Sequence, residues 1–79
     1  MAVAQTDAPS AEPVRCETME ELFAALESLL LSYALRLLGD RALAEDAVQE
    51  AFMKLHIHFA EVLEPRRWLY RTVHNLALN

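Results

Sequence analysis

Over residues 44–58, apolar and polar positions alternate with a helical period, and the pattern has two sides. At about 100° per residue, Ala44, Val48, Ala51, Phe52 and Leu55 fall on one side, and Asp46, Gln49, Glu50, Met53 and Ile57 on the other. The first set is a core stripe. The second is a helix back that carries Met53 and Ile57 in line with an Asp, a Gln and a Glu. Acidic and amide groups around an apolar strip suit a partner surface that is basic at its edges and greasy along its middle. The plainer reading, a solvated face with two stray apolar residues, stands beside it.

The rest of the chain supplies two more helical patterns. Thr18-Met19-Glu20-Glu21 matches a capping box and starts a helix at Met19. Leu22, Phe23, Leu26, Leu29, Leu30, Tyr33, Ala34 and Leu37 form its wide apolar sector, and Gly39 offers a left-handed stop after Leu38. Leu31, Leu35 and Leu38 lie outside that sector, nearly opposite its centre, and read as a second packing surface, either for self-association or as a seat for further chain. Asp40 caps a second helix over residues 41–58, and the short Gly39-Asp40 link makes the two helices an antiparallel hairpin or a steep corner. Residues 59–64 form the main loop. Pro65 suits a first helical position, so a third helix runs over residues 65–79. The expected fold is an all-α, three-helix bundle with helices at about 19–38, 41–58 and 65–79. Residues 1–17, rich in Ala, Pro and Ser and without periodicity, form a flexible arm before a domain at 18–79.

On the third helix Leu69, Thr72, Val73, Leu76 and Ala77 face inward. Trp68, Arg71, Asn75 and Asn79 recur along another side, beside Arg67, His74 and Leu78. An indole, a guanidinium and two carboxamides supply stacking, phosphate contact and amide hydrogen bonding, the three modes used on nucleic-acid bases and backbone. A lone Trp in a small bundle is as well read as core.

Composition narrows the class. With 54% hydrophobic residues, one Gly and three Pro in 79 residues, the chain is too apolar for disorder and too poor in turn formers for a β-sandwich. So small a domain has a marginal core and leans on a partner or on further chain. The net charge of −5 argues against nonspecific coating of nucleic acid. The charges are segregated, however: all twelve acidic residues lie at or before Glu64, whereas Arg66, Arg67 and Arg71 follow with no acid among them. The single Cys16 has no intramolecular partner, and no apolar run is long enough for a membrane span or a signal peptide. A reducing cytoplasm is the simplest setting.

Two runs resemble a known family. Leu37-Leu38-Gly39-Asp40 through Ala44-Glu45-Asp46-Ala47-Val48-Gln49-Glu50-Ala51-Phe52 is similar to the end of region 2.1 and to region 2.2 of bacterial RNA polymerase sigma factors of the extracytoplasmic-function (ECF) class. Trp68-Leu69-Tyr70-Arg71-Thr72-Val73-His74-Asn75-Leu76-Ala77-Leu78-Asn79 is similar to regions 2.3 and 2.4, and the likeness covers about residues 22–79. The resemblance implies that Asp46, Gln49, Glu50 and Met53 dock on the coiled-coil clamp helices of the polymerase β′ subunit. It implies that Arg71, Asn75 and Asn79 read the promoter minus-ten element, mainly on the non-template single strand, with Arg66, Arg67 and Trp68 adding a positive rim and a stacking surface. In the family a loop before this helix captures a flipped base; here that loop spans residues 59–65, with Phe59 a candidate.

The departures are specific. Glu61 and Glu64 stand in the loop where a basic or polar segment is expected, and His74 stands where the family commonly has Arg. The rest of the recognition helix and a second domain reading the minus-thirty-five element are expected to follow Asn79 in a longer factor. A competing reading from another class is a sigma mimic that binds only an anti-sigma factor and no DNA, which the acidic loop favours. An enzyme is the weakest option: His56 and His58 are two apart on a helix and cannot share a metal, and no motif pairs a nucleophile with a base, so neither cofactor nor metal is expected.

Overall fold

The structure, a computed structural model, describes residues 17–79. Helix α1 spans Met19–Leu38, α2 Arg41–His58 and α3 Pro65–Leu78, and a 3-10 turn lies at Phe59–Glu61. The local signals act as their chemistry requires. The Glu21 N–H donates to Thr18 Oγ1 at 3.1 Å, while the Thr18 N–H donates back to Glu21 Oε1 at 3.0 Å. Gly39 closes α1 with φ of 70°, and its N–H donates to the Leu35 carbonyl at 2.7 Å. Asp40 then caps α2 by accepting from the Leu43 N–H at 2.9 Å. Pro65 opens α3 where its missing N–H costs nothing.

The three helices pack pairwise around one core. Leu22, Leu26, Leu30 and Ala34 come from α1, Ala44, Val48, Ala51, Phe52 and Leu55 from α2, and Leu69 and Val73 from α3. The fully buried Ala44 and Ala51 leave room for the α2 backbone to approach its neighbours, and Leu22, Leu30, Leu55 and Leu69 fill the space between. The expected core face of α2 is therefore the observed one, with Ala47 joining it.

The expected face of α1 needs correction. Its buried residues follow the i, i+4 row Leu22, Leu26, Leu30, Ala34, and such a row turns by about 40° at each step. The contact surface thus winds around α1 instead of staying on one side. Near the start, Phe23 is only partly covered; further along, Leu29 is exposed while Leu31 and Leu38 pack against the core. Of the three leucines expected on a second surface, Leu31 and Leu38 are half-buried against the core and Leu35 is exposed.

Of the expected flexible arm, residues 1–16, including Cys16, lie outside the described residues. Its last residue, Glu17, is held: both of its carboxylate oxygens accept from the Arg66 guanidinium at the start of α3.

Candidate functional site

Two surfaces emerge on this bundle. The first is the outer side of α2, where Asp46, Gln49, Glu50, Met53, Lys54 and Ile57 line one shallow groove. Met53 is 62% and Ile57 74% exposed, so neither belongs to the core, and all four residues expected on this face are on the surface. Glu50 is 3.8 Å from Lys54, whereas Asp46 forms no ion pair among the described residues. The strip continues around the helix into a groove between α1 and α2, lined by Phe23, Leu31, Val48, Phe52 and Met53 and edged by Glu27, Glu45 and Gln49. Phe23 stands edge-on to Phe52 there, with ring centroids 5.0 Å apart. This groove was not legible in the periodicity, because Phe23 scores as core by its angle on α1.

The second surface lies at the start of α3. Arg67, Trp68 and Arg71 line a cleft together with His58, Glu61, Val62, Leu63 and Glu64 from the preceding turn and loop. Trp68 is half-buried: it packs against the core and also lines the cleft. The three arginines are not equivalent. Arg66 is bound to Glu17, whose hydrogen bond and charge raise its pKa above the usual arginine value. The guanidinium is charged at any working pH, so the shift does not change its protonation there. Arg67 Nε is 3.5 Å from Glu64. Arg71 is exposed and forms no ion pair among the described residues.

Asn75 is exposed one turn beyond Arg71. Asn79 is also exposed but lies in a different groove, with Leu38, Leu43, Asp46 and Leu76 at the junction of α2 and α3. The structure thus brings Arg67, Trp68 and Arg71 into one cleft, sets Asn75 beside it and separates Asn79 from it. Phe59, the candidate base-capturing residue of the loop, is half-buried and packs against the core. One contact had no signal in the sequence. The Tyr33 hydroxyl lies 2.8 Å from His74 Nδ1, with Tyr70 edge-on to Tyr33 at 5.4 Å, and this trio joins α1 to α3.

Among the described residues, no three His, Cys, Asp or Glu side chains converge as a metal site requires, and no helix is long and apolar enough to cross a membrane. The arrangement offers binding surfaces of two chemistries.

Residues 22–79 match the family model described as Sigma-70 region 2. Over 57 residues, 72% of this chain, the sequence is 42% identical to the ECF RNA polymerase sigma factor SigJ of Mycobacterium tuberculosis (strain ATCC 25618 / H37Rv). The match covers 18% of that relative's length. No solved structure gives a significant match.

Proposed function

The chain belongs to the sigma-70 region 2 family, and from that premise we propose that it is the polymerase-binding and minus-ten-reading domain of an ECF-class transcription initiation factor. The observation that carries the reading is the separation of two exposed surfaces on one small bundle. One is acidic and apolar on α2; the other combines an indole edge with guanidinium groups on α3. Asp46, Gln49, Glu50 and Met53 would meet the β′ clamp helices. There Met53 and Ile57 supply the apolar contact, and the carboxylates meet basic side chains at its edge. Arg67, Trp68, Arg71 and Asn75 would hold the non-template strand as it separates. A single strand asks for a stacking surface beside a cation, which Trp68 and Arg71 provide. Arg66 and Asn79 join the strand only at the margins, the first after leaving Glu17.

Two measurements test the assignment. Replacing Asp46 and Glu50 by Lys should abolish capture of the β′ clamp helices while circular dichroism stays helical; unchanged capture would remove the α2 face from the proposal. A photocrosslinker at Asn75 should then label the non-template minus-ten strand when core polymerase is present.

A second reading has one observation in its favour. Glu17 engages Arg66 and Glu64 engages Arg67, so two of the three arginines in the first two turns of α3 are already matched by acids. A domain that binds only an anti-sigma factor would show this pattern, and absence of any crosslink to the minus-ten strand would favour it.

A further inference from the structure

A cavity of about 530 Å³ opens between α1 and α2, with no α3 residue in its lining. Buried Val48 and Phe52 line its inner part, and Phe23, Leu31 and Met53 stand around them. A volume of that order suits a small organic ligand, for which a mostly apolar lining with a few polar groups is the usual composition. Phe23 is 44% exposed although its ring is fixed edge-on to Phe52 at 5.0 Å. An aromatic ring held in place and left uncovered is a ready surface for a further apolar or cationic group. The rim is acidic, and its two acids are not equivalent. Glu45 is held by Arg41, whose Nε lies 3.0 Å from its carboxylate. Glu27, one helical turn from both Phe23 and Leu31, is exposed and forms no ion pair among the described residues. Gln49 and His56 complete the polar edge.

We propose that this cavity binds a small amphiphilic amine, with an aromatic body against Phe23, Phe52 and Val48 and an ammonium group between the Phe23 ring and the Glu27 carboxylate. The charge pattern selects the class. An anionic ligand would meet Glu27 and Glu45 at the entrance, and a neutral one would leave Glu27 unused. An ammonium group gains both the carboxylate and the aromatic face. Two turns of a partner helix, about 10 Å across and 11 Å long, occupy roughly 900 Å³; such a helix can lie over the opening but not fill it. Regulation follows from two shared residues. Gln49 and Met53 line both this cavity and the outer groove of α2. On the reading proposed above, in which that groove docks on the polymerase, a bound amine competes with docking.

The test titrates the chain with three naphthalene probes: naphthylmethylammonium, the uncharged naphthylmethanol and the naphthylacetate anion. Amide NMR shifts locate each probe and give its affinity. The ammonium should bind about tenfold more tightly than the alcohol, the scale of an ion pair combined with a cation–π contact. The acetate should bind most weakly, and the largest shifts should fall at Phe23, Glu27 and Gln49. Glu27→Gln, an exposed change that leaves the core intact, should bring the ammonium to parity with the alcohol, and Phe23→Ala should weaken all three. No saturable binding, equal affinity for the three probes, shifts centred elsewhere, or an ammonium preference that survives Glu27→Gln would overturn the site. Capture of the β′ clamp helices is then measured with the ammonium at saturation. Reduced capture supports the regulatory role, whereas undiminished capture by a chain that holds the probe overturns that role and leaves the site standing. Failure of capture without any probe would overturn the polymerase reading, and the competition with it, but not the cavity.

Discussion

The Tyr33 hydroxyl and His74 Nδ1, 41 positions apart in sequence, lie 2.8 Å from each other across the interface of α1 and α3. Either tautomer of the imidazole satisfies the pair, since the hydroxyl can donate to a bare Nδ1 or accept from its N–H. Tyr33→Phe keeps the ring against Tyr70 and removes only the hydrogen bond, leaving a half-buried imidazole nitrogen short of a partner. A loss of about 1 kcal/mol is expected, read as a lower urea midpoint with an unchanged slope. Hydrogen exchange should quicken in the second half of α3 before it does in α2.

The Gly39 turn isolates backbone strain from packing. A Cβ built there would meet nothing within 4 Å, yet φ is 70°. Gly39→Ala should therefore cost about 1 to 2 kcal/mol purely from the left-handed backbone, and Gly39→Asn less, since Asn tolerates that region. Equal urea midpoints for the two variants would contradict this account.

Glu17 occupies a cation that DNA phosphate could use. Glu17→Gln should release Arg66, strengthen binding of single-stranded minus-ten DNA to the polymerase-bound chain, and steepen the salt dependence of that binding. The raised Arg66 pKa gives no pH signature in a working buffer. Stability from a raised pKa is fully present below the unfolded value and is lost only as pH climbs through the folded one, which lies in extreme alkali. An unaltered salt slope in Glu17→Gln would mean that Arg66 does not reach the strand.

Arg71 and Asn75 should separate by their effects. Arg71→Ala is expected to weaken binding to all minus-ten sequences alike and to reduce the salt slope by about 1. Asn75→Ala should leave that slope unchanged and reduce discrimination between sequences, as measured by competition with substituted strands.

Much of this architecture can be read from local chemistry. Thr18, Gly39, Asp40 and Pro65 each act through the backbone within a few residues, and so they mark helix ends without knowledge of the fold. The α2 faces are equally legible, because Met53 and Ile57 lie opposite Val48 and Leu55 by simple rotation. What fails is the assumption that α1 keeps one side inward. Leu29 and Leu38 exchange their expected places because α1 crosses its neighbours along a winding row, and that angle depends on three helices at once. The Tyr33–His74 bond and the Glu17–Arg66 pair were hidden for the same reason: each links distant segments. Phe59 shows the converse, an aromatic residue expected in a loop that the fold packs in part against the core.

The two connectors leave different room for change over evolutionary time. Between α1 and α2 only Gly39 and Asp40 intervene, and adding one residue to the helix after them would rotate every later α2 position by about 100°, bringing Met53 toward the interior and Val48 toward water. That junction can be altered by exchange of side chains but hardly by insertion or deletion. The stretch before α3 carries no such phase requirement, because Pro65 restarts the helix independently of what precedes it. The loop ahead of α3 can therefore vary in length and composition while the exposed side of α2 stays in register.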